Sequence, residues 1–175
     1  MRPAPLLAAA LALAACAAPK PDPASQGTAA ERLRPVSSPP AAASVQRTVY
    51  VPVYSSIYHS DGPQSMMELA VTVSVRNVSA RQSIVIDHVR YYDSHGRRVR
   101  EYLKTPSELG PLATVEFVVR QRDDAGGPGA NFLVQWSGPA EVDEPLIEAV
   151  MIGHAGSVGY SFTSGGRPIR NEPLP

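Results

Sequence analysis

The chain has 175 residues with 16 basic and 16 acidic side chains, so it carries no formal net charge and no global field to draw it to nucleic acid or an anionic bilayer. That length suits one domain with a proper core and is short for two. A single cysteine leaves no disulfide pair to staple a core, and the 18 prolines and 13 glycines are spread unevenly enough to divide the chain into three parts.

Met1 and Arg2 give a positive start, and residues 4–15 form an uncharged Ala/Leu run that Pro19 and Lys20 cut off. The run has the size of a signal-peptide core and falls short of the ~20 apolar residues a bilayer span needs. Residues 1–15 therefore read as a targeting segment. Its end, Leu13-Ala14-Ala15-Cys16, resembles the lipobox of bacterial lipoproteins: leucine, two small residues, then cysteine. The resemblance implies that the Cys16 thiol receives a diacylglyceryl group, that the preceding peptide is cleaved, and that the new amino terminus is acylated. Each acyl chain contributes about 0.8 kcal/mol per buried methylene, so several chains on one residue make a durable anchor to the lipid bilayer. The alternative is an ordinary secretory signal cleaved after Ala14 or Ala15, leaving a stray thiol that an oxidising envelope makes a liability. Ala17 follows the cysteine, where an aspartate marks inner-membrane retention in enteric-type lipoproteins. The resemblance thus implies the outer membrane, with the protein facing the periplasm.

Residues 16–46 are largely Ala, Pro and Ser ("APKPDPASQG", "PVSSPPAAAS"). With almost no large apolar side chains the segment predicts a disordered tether, reaching roughly 30 Å as a coil and up to about 90 Å as polyproline II. A helix from "AAERLR" is too short and too proline-bounded to persist.

From residue 47 to 171 the texture changes to short β-type runs separated by turn signals. "TVYVPVY" comes first. In "ELAVTVSVRN", Leu69, Val71, Val73 and Val75 share one face, which predicts a strand with one side in the core. "SIVIDHVRYY" is apolar on both sides at its start, as a central strand is, with Asp87 and His88 expected on opposite faces. Asp93-Ser94-His95-Gly96 predicts a turn that pairs it with "RRVREYL" as a hairpin. "TVEFVVR" and "NFLVQWS" repeat the alternation, and "RDDAGGPGANF" between them reads as a long, adaptable hairpin connection. "PLIEAVMIG" favours a strand by its length and closing glycine, and "SVGYSFTS" alternates Val158, Tyr160 and Phe162. Seven or eight strands without a strong amphipathic helix predict an all-β, antiparallel immunoglobulin-like or fibronectin-like β-sandwich.

"VYVPVYSSIY", "YYDSHGRRV", "GGPGANFLVQW" and "PLIEAVMIG" also resemble a bacterial domain-of-unknown-function family, number three-one-two-four, of small secreted or lipid-anchored proteins. The resemblance covers most of residues 48–170. It implies the domain boundaries and carries no activity, catalytic residue or ligand.

Candidate chemistry is sparse. His59, His88, His95 and His154 lack metal-ligand spacing and read as solvated or core-edge side chains; no cofactor is expected. No G-x-S-x-G elbow occurs, and Ser161 sits between aromatic residues in a strand pattern, so the chain reads as non-enzymatic. Gly126, Gly127 and Gly129 lack the Lys-Ser/Thr and helix of a phosphate loop. Asp123 and Asp124 are expected at the opposite end of a strand from Glu141, Asp143 and Glu144, which separates them as calcium ligands. Arg97, Arg98 and Arg100, with Arg120 and Arg122 nearby, form either a basic patch for an anionic polymer or a self-neutralising sheet face.

The remaining surface is "VYVPVYSSIYH". Even spacing puts Tyr50, Tyr54 and Tyr58 on one side of an extended strand, and Pro52 favours an edge. Three amphipathic rings beside a free edge would suit a peptide strand or a sugar, or else pack under a neighbouring loop. The sequence thus points to a membrane-anchored envelope lipoprotein that binds or scaffolds another envelope protein or a glycan. A carrier of a small molecule or metal ion is the first alternative, and an envelope hydrolase the second.

Overall fold

Every run between residues 47 and 171 with period-two or continuous apolar character forms a strand, and five shorter strands join them. The computed structural model describes residues 33–37, 45–59, 62, 64–103 and 105–169. In chain order the strands are β1 (Arg34–Pro35), β2 (Val45–Pro52), β3 (Ser56–Tyr58), β4 (Met66–Glu68), β5 (Ala70–Arg76), β6 (Ile84–Tyr92) and β7 (Arg98–Glu101). They continue with β8 (Ser107–Leu109), β9 (Thr114–Val119), β10 (Asn131–Gly138), β11 (Leu146–Ala155), β12 (Val158–Gly165) and β13 (Arg167–Ile169). Every pairing is antiparallel. Among the described residues there is no helix, and so none long and apolar enough to cross a membrane.

Seven strands form one sheet, in the order β1-β8-β6-β10-β2-β13 with β7 against β6. Four form the other, β12-β11-β5-β9, while β3 and β4 make a separate ribbon. The expected all-β sandwich is therefore present. Leu69, Val71, Val73 and Val75 are fully buried from the small sheet, and Val51, Phe132, Val134 and Trp136 meet them from the large one. Each such side chain contributes ~1.5–3 kcal/mol by leaving water, which is how packing alone holds a core without a disulfide. Arg34 and Pro35, in the stretch assigned to the tether, pair with Glu108 and Ser107, and Leu33 beside them joins the core.

β6 is central, between β8 and β10, for the reason its two-sided apolar pattern implied. Its pairing also contains a bulge: β10 moves one residue from Gln135 to Trp136 while β6 moves from His88 to Ile86, so Asp87 is the extra residue. The core-facing parity switches there, from Ile84 and Ile86 to Val89 and Tyr91. This corrects the expectation for Asp87 and His88. Asp87 meets Ser137, which shares a sheet face with Gln135, the register partner of His88, so both side chains lie on one face.

The connection from β9 to β10 is also not a hairpin. β9 pairs with β5 in the small sheet and β10 with β6 and β2 in the large one, so residues 120–130 cross between sheets. A turn-rich sequence serves either path; which sheet buries the next apolar face decides.

Candidate functional site

Connections leave the sandwich at both ends, and most of the candidate residues gather at one of them. β2, β6, β9 and β11 run toward it, and the β3–β4 ribbon, the β6–β7 turn, the 120–130 crossover and the β11–β12 turn emerge from it. All the candidate tyrosines except Tyr50, and most of the arginines, are carried there.

The glycine stretch is held, not adaptable. Ser94 donates from its backbone N–H and its Oγ to the Gly126 carbonyl, both at 2.9 Å, and its Oγ accepts the Gly129 N–H at 2.9 Å. The Gly127 N–H goes to Ser55 Oγ at 2.8 Å. These donors are the groups a phosphate cradle would need free. Glycine is required at 126 because a Cβ there would sit 1.8 Å from the Tyr91 hydroxyl, and at 127 because φ is 77°.

Two buried aspartates contrast in charge environment. Asp93 accepts from the backbone N–H groups of Arg97 and His95 and from Arg97 Nε, at 2.9, 2.8 and 2.9 Å. Above all the Arg97 backbone hydrogen bond holds its carboxyl below the usual range, and this fixes the β6–β7 turn. Asp87 has its carboxyl raised by burial, which a 3.2 Å hydrogen bond from Ser137 only partly offsets.

The arginines are divided. Arg100, Arg120 and Arg122 line an open hollow of about 720 Å³ with Val118, Asp123 and Asp124. Arg100 donates to Asp123 Oδ2 at 2.9 Å and to the Tyr102 hydroxyl at 3.0 Å, with its guanidinium over the Tyr102 ring. Arg97 is committed to Asp93, and Arg98 lies 3.9 Å from Glu101. Three arginines against two aspartates leave the hollow weakly basic, between the two readings of the sequence.

His88 Nδ1 lies 3.2 Å from Glu101, which also accepts from Arg90 Nε at 2.9 Å. Among the described residues no group of three or more His, Cys, Asp or Glu side chains could hold a metal ion. Asp123 and Asp124 precede β10, while Glu141 and Asp143 follow it and line a different hollow with Ser79 and Arg81.

The tyrosine row is distributed. Tyr50 lies on β2, opposite in face to the core residues Val49 and Val51; Tyr54 follows the end of the strand; Tyr58 lies on β3. The physical reason is local. Val53 donates to the Ala130 carbonyl and Ser55 to Gly127, which turns the chain out of the large sheet after Pro52 and into the ribbon. β2 is not an edge either: β13 pairs with Thr48, Val49 and Tyr50, and Pro52 lies just past that ladder. Tyr54 instead meets Phe162 of β12 edge-on at 5.7 Å.

That contact marks a surface the sequence did not single out. β12 is the outer strand of the small sheet, and all its residues are exposed or half-exposed. Val158 and Tyr160 remain 54% and 45% exposed although their register partners Ala155 and Gly153 put them on the core-facing side. Tyr58 and its ribbon partner Met66, at 56% and 43%, emerge at the same end. Cys16 lies outside the described residues.

Two antiparallel sheets packed over one core define an all-β sandwich domain. The chain belongs to a family of unknown function: the model for the protein of unknown function DUF3124 matches residues 46–169, from the second residue of β2 to the end of β13. No curated protein matches the chain. A crystal structure from Thermotoga maritima, titled only with the number 1070, aligns over 69% of this chain and 92% of its own at 7% identity and a TM-score of 0.39, too loose a likeness to carry an argument.

Proposed function

We propose that this chain is a lipid-anchored protein of the bacterial cell envelope whose β-sandwich is a non-catalytic binding or scaffolding module. The observation that carries the reading is the side formed by β12 and the loops beside it, where, among the described residues, Tyr54, Tyr58, Tyr160 and Val158 stand exposed. Exposed aromatic and apolar side chains gathered at one end of a domain are a usual mark of an interaction surface. The lipobox-like Leu13-Ala14-Ala15-Cys16 supports attachment through Cys16, with the domain on the periplasmic face of the outer membrane. The non-catalytic part is supported by the employment of the loop hydroxyls: Ser55 and Ser94 hold the glycine crossover.

A photo-crosslinking residue at Tyr58 or Tyr160, in the protein's own cells, tests the surface. An envelope component captured there, and not from Leu112 at the opposite end, is the expected result; equal or no capture overturns it. Intact mass of the mature protein tests the anchor, since an unmodified Cys16 or a start beyond it rules lipidation out. A second reading, a carrier of a small anionic ligand, is favoured by the arginine-lined hollow. Native mass spectrometry would find it loaded in protein taken from the host, and an empty domain removes that reading.

A further inference from the structure

Natural sheet edges are shortened, charged or capped, because a bare row of N–H and C=O groups recruits another strand. The other edges here follow that rule. β1 has two residues, one of them Pro35; β13 has three, with Arg167 and Pro168. β7 reads RVRE, and β9 carries Glu116 and has the Val118 carbonyl capped by the Tyr102 hydroxyl at 3.0 Å. β12 reads VGYSFTSG, eight residues without charge or proline.

The direction of its free groups follows from the turn. Gly156 (φ 59°) and Ser157 form a two-residue connection between the paired Ala155 and Val158, so that pair is hydrogen-bonded and the ladder alternates from it. The Gly166 N–H to the Ile147 carbonyl, 2.8 Å, falls in the same series. Val158, Tyr160, Phe162 and Ser164 therefore address β11, while Gly159, Ser161 and Thr163 direct their backbone groups away from the sheet. Those residues are small, and nothing on them blocks an approaching strand.

We propose that β12 pairs antiparallel with β12 of a second copy of this chain, about a two-fold axis at Ser161, joining the two small sheets into one. This rests on the reading of the β12 side as the binding surface and names its partner. The strand is its own complement. With Ser161 opposite the partner's Ser161, Gly159 meets the partner's Thr163 with outward groups facing outward groups. The same register sets Tyr160 against the partner's Phe162 and Phe162 against the partner's Tyr160, both cross-strand aromatic pairs. A shift of the axis to Tyr160 or Phe162 keeps only one aromatic pair. No like charges meet on the axis, and no charge in the strand selects an unlike partner. The exposed Val158 and Tyr160 supply the apolar surface that the joint covers.

The test uses the full chain in its own cells. Ser161→Cys, oxidised in the membrane, is expected to give a disulfide-linked homodimer because paired positions in such a ladder lie within disulfide reach, about 5.5 Å between Cα atoms. Leu112→Cys, at the far end, is expected to stay monomeric. Adding Thr163→Pro to Ser161→Cys removes an outward N–H without touching the β11 ladder, and is expected to cut the dimer at least tenfold while leaving the melting temperature unchanged. No dimer above the Leu112→Cys level, a disulfide to a different protein, or a dimer indifferent to Thr163→Pro each overturns the proposal. If the homodimer is missing while a crosslinker at Tyr160 still captures an envelope component, self-association fails and the binding reading stands; if both are missing, both fail.

Discussion

β9 and β12 are the two edges of one four-stranded sheet, and they end in opposite ways. At β9 a tyrosine from beyond β7 reaches across: the Tyr102 hydroxyl donates to the Val118 carbonyl, Arg100 donates to that hydroxyl, and Asp123 holds Arg100. Burial raises the Tyr102 phenol, so it stays a donor. Below it the Tyr102 ring packs on Phe117 and Phe132, and Phe132 stacks on Tyr91 at 4.9 Å. At β12, among the described residues, a single ring, Tyr54, reaches Phe162, and Ser164 donates to the Pro52 carbonyl; the strand is exposed or half-exposed along its whole length. An edge is closed by what a distant segment brings to it, and the strand's own sequence shows only whether it needs closing.

The largest way to break the contrast is a matched pair of aromatic truncations. Phe132→Ala, on the closed side, is expected to cost ~3–5 kcal/mol. Phe162→Ala, on the open side, is expected to cost about 1–1.5 kcal/mol, the share of its transfer energy that half-burial realises. Urea unfolding of both variants measures this, and equal losses would mean that the β12 side is packed as tightly as the β9 side.

Next come two glycines. Gly126→Ala forces a methyl group onto the Tyr91 hydroxyl and is expected to lose about 1–3 kcal/mol, whereas Gly159→Ala meets nothing within 4 Å and should change folding by under ~0.5 kcal/mol. A tolerated Gly126→Ala would restore the adaptable loop that the sequence suggested.

Tyr102→Phe keeps the ring and removes the cap. Half-exposed partners put the expected loss at ~0.5–1.5 kcal/mol, with faster amide hydrogen exchange along β9 and none of that change along β12. Exchange spread evenly over both edges would contradict the cap.

The smallest effect depends on pH. The Asp93 carboxyl is lowered, so its contribution is present above the ordinary carboxylate pKa and disappears as pH falls through the folded value. Asp93→Asn should therefore shift the urea midpoint downward at pH 7 and by less at about pH 3, under the range of an unperturbed aspartate. A shift of equal size at both pH values would assign the turn to geometry alone.

Much of the fold was legible. Leu69, Val71, Val73 and Val75 announce β5 because a period of two has one physical use when one face must leave water. Gly96, at φ 75°, announces the β6–β7 turn in the same way. The Asp87 bulge was not legible, since one inserted residue leaves no signature beyond a switch of parity that resembles two-sided burial. The short strands β1, β3, β4, β8 and β13 hold two or three residues each, less than a repeat that periodicity could register. For the candidate surface, the sequence supplied the aromatic residues and the wrong grouping. Tyr50, Tyr54 and Tyr58 share a spacing but lie on separate elements, while Tyr54 shares its contact with Phe162.

The sequence by itself determined the β character, the core faces, the uncharged strand VGYSFTSG and the cysteine of the lipobox-like segment. Each of these depends on a residue and its near neighbours. Which edge is capped and which left open was decided only by the tertiary structure, because Tyr102 and Val118 lie 16 residues apart and meet only when both sheets have formed. No local pattern records a hydrogen bond across the side of a sandwich.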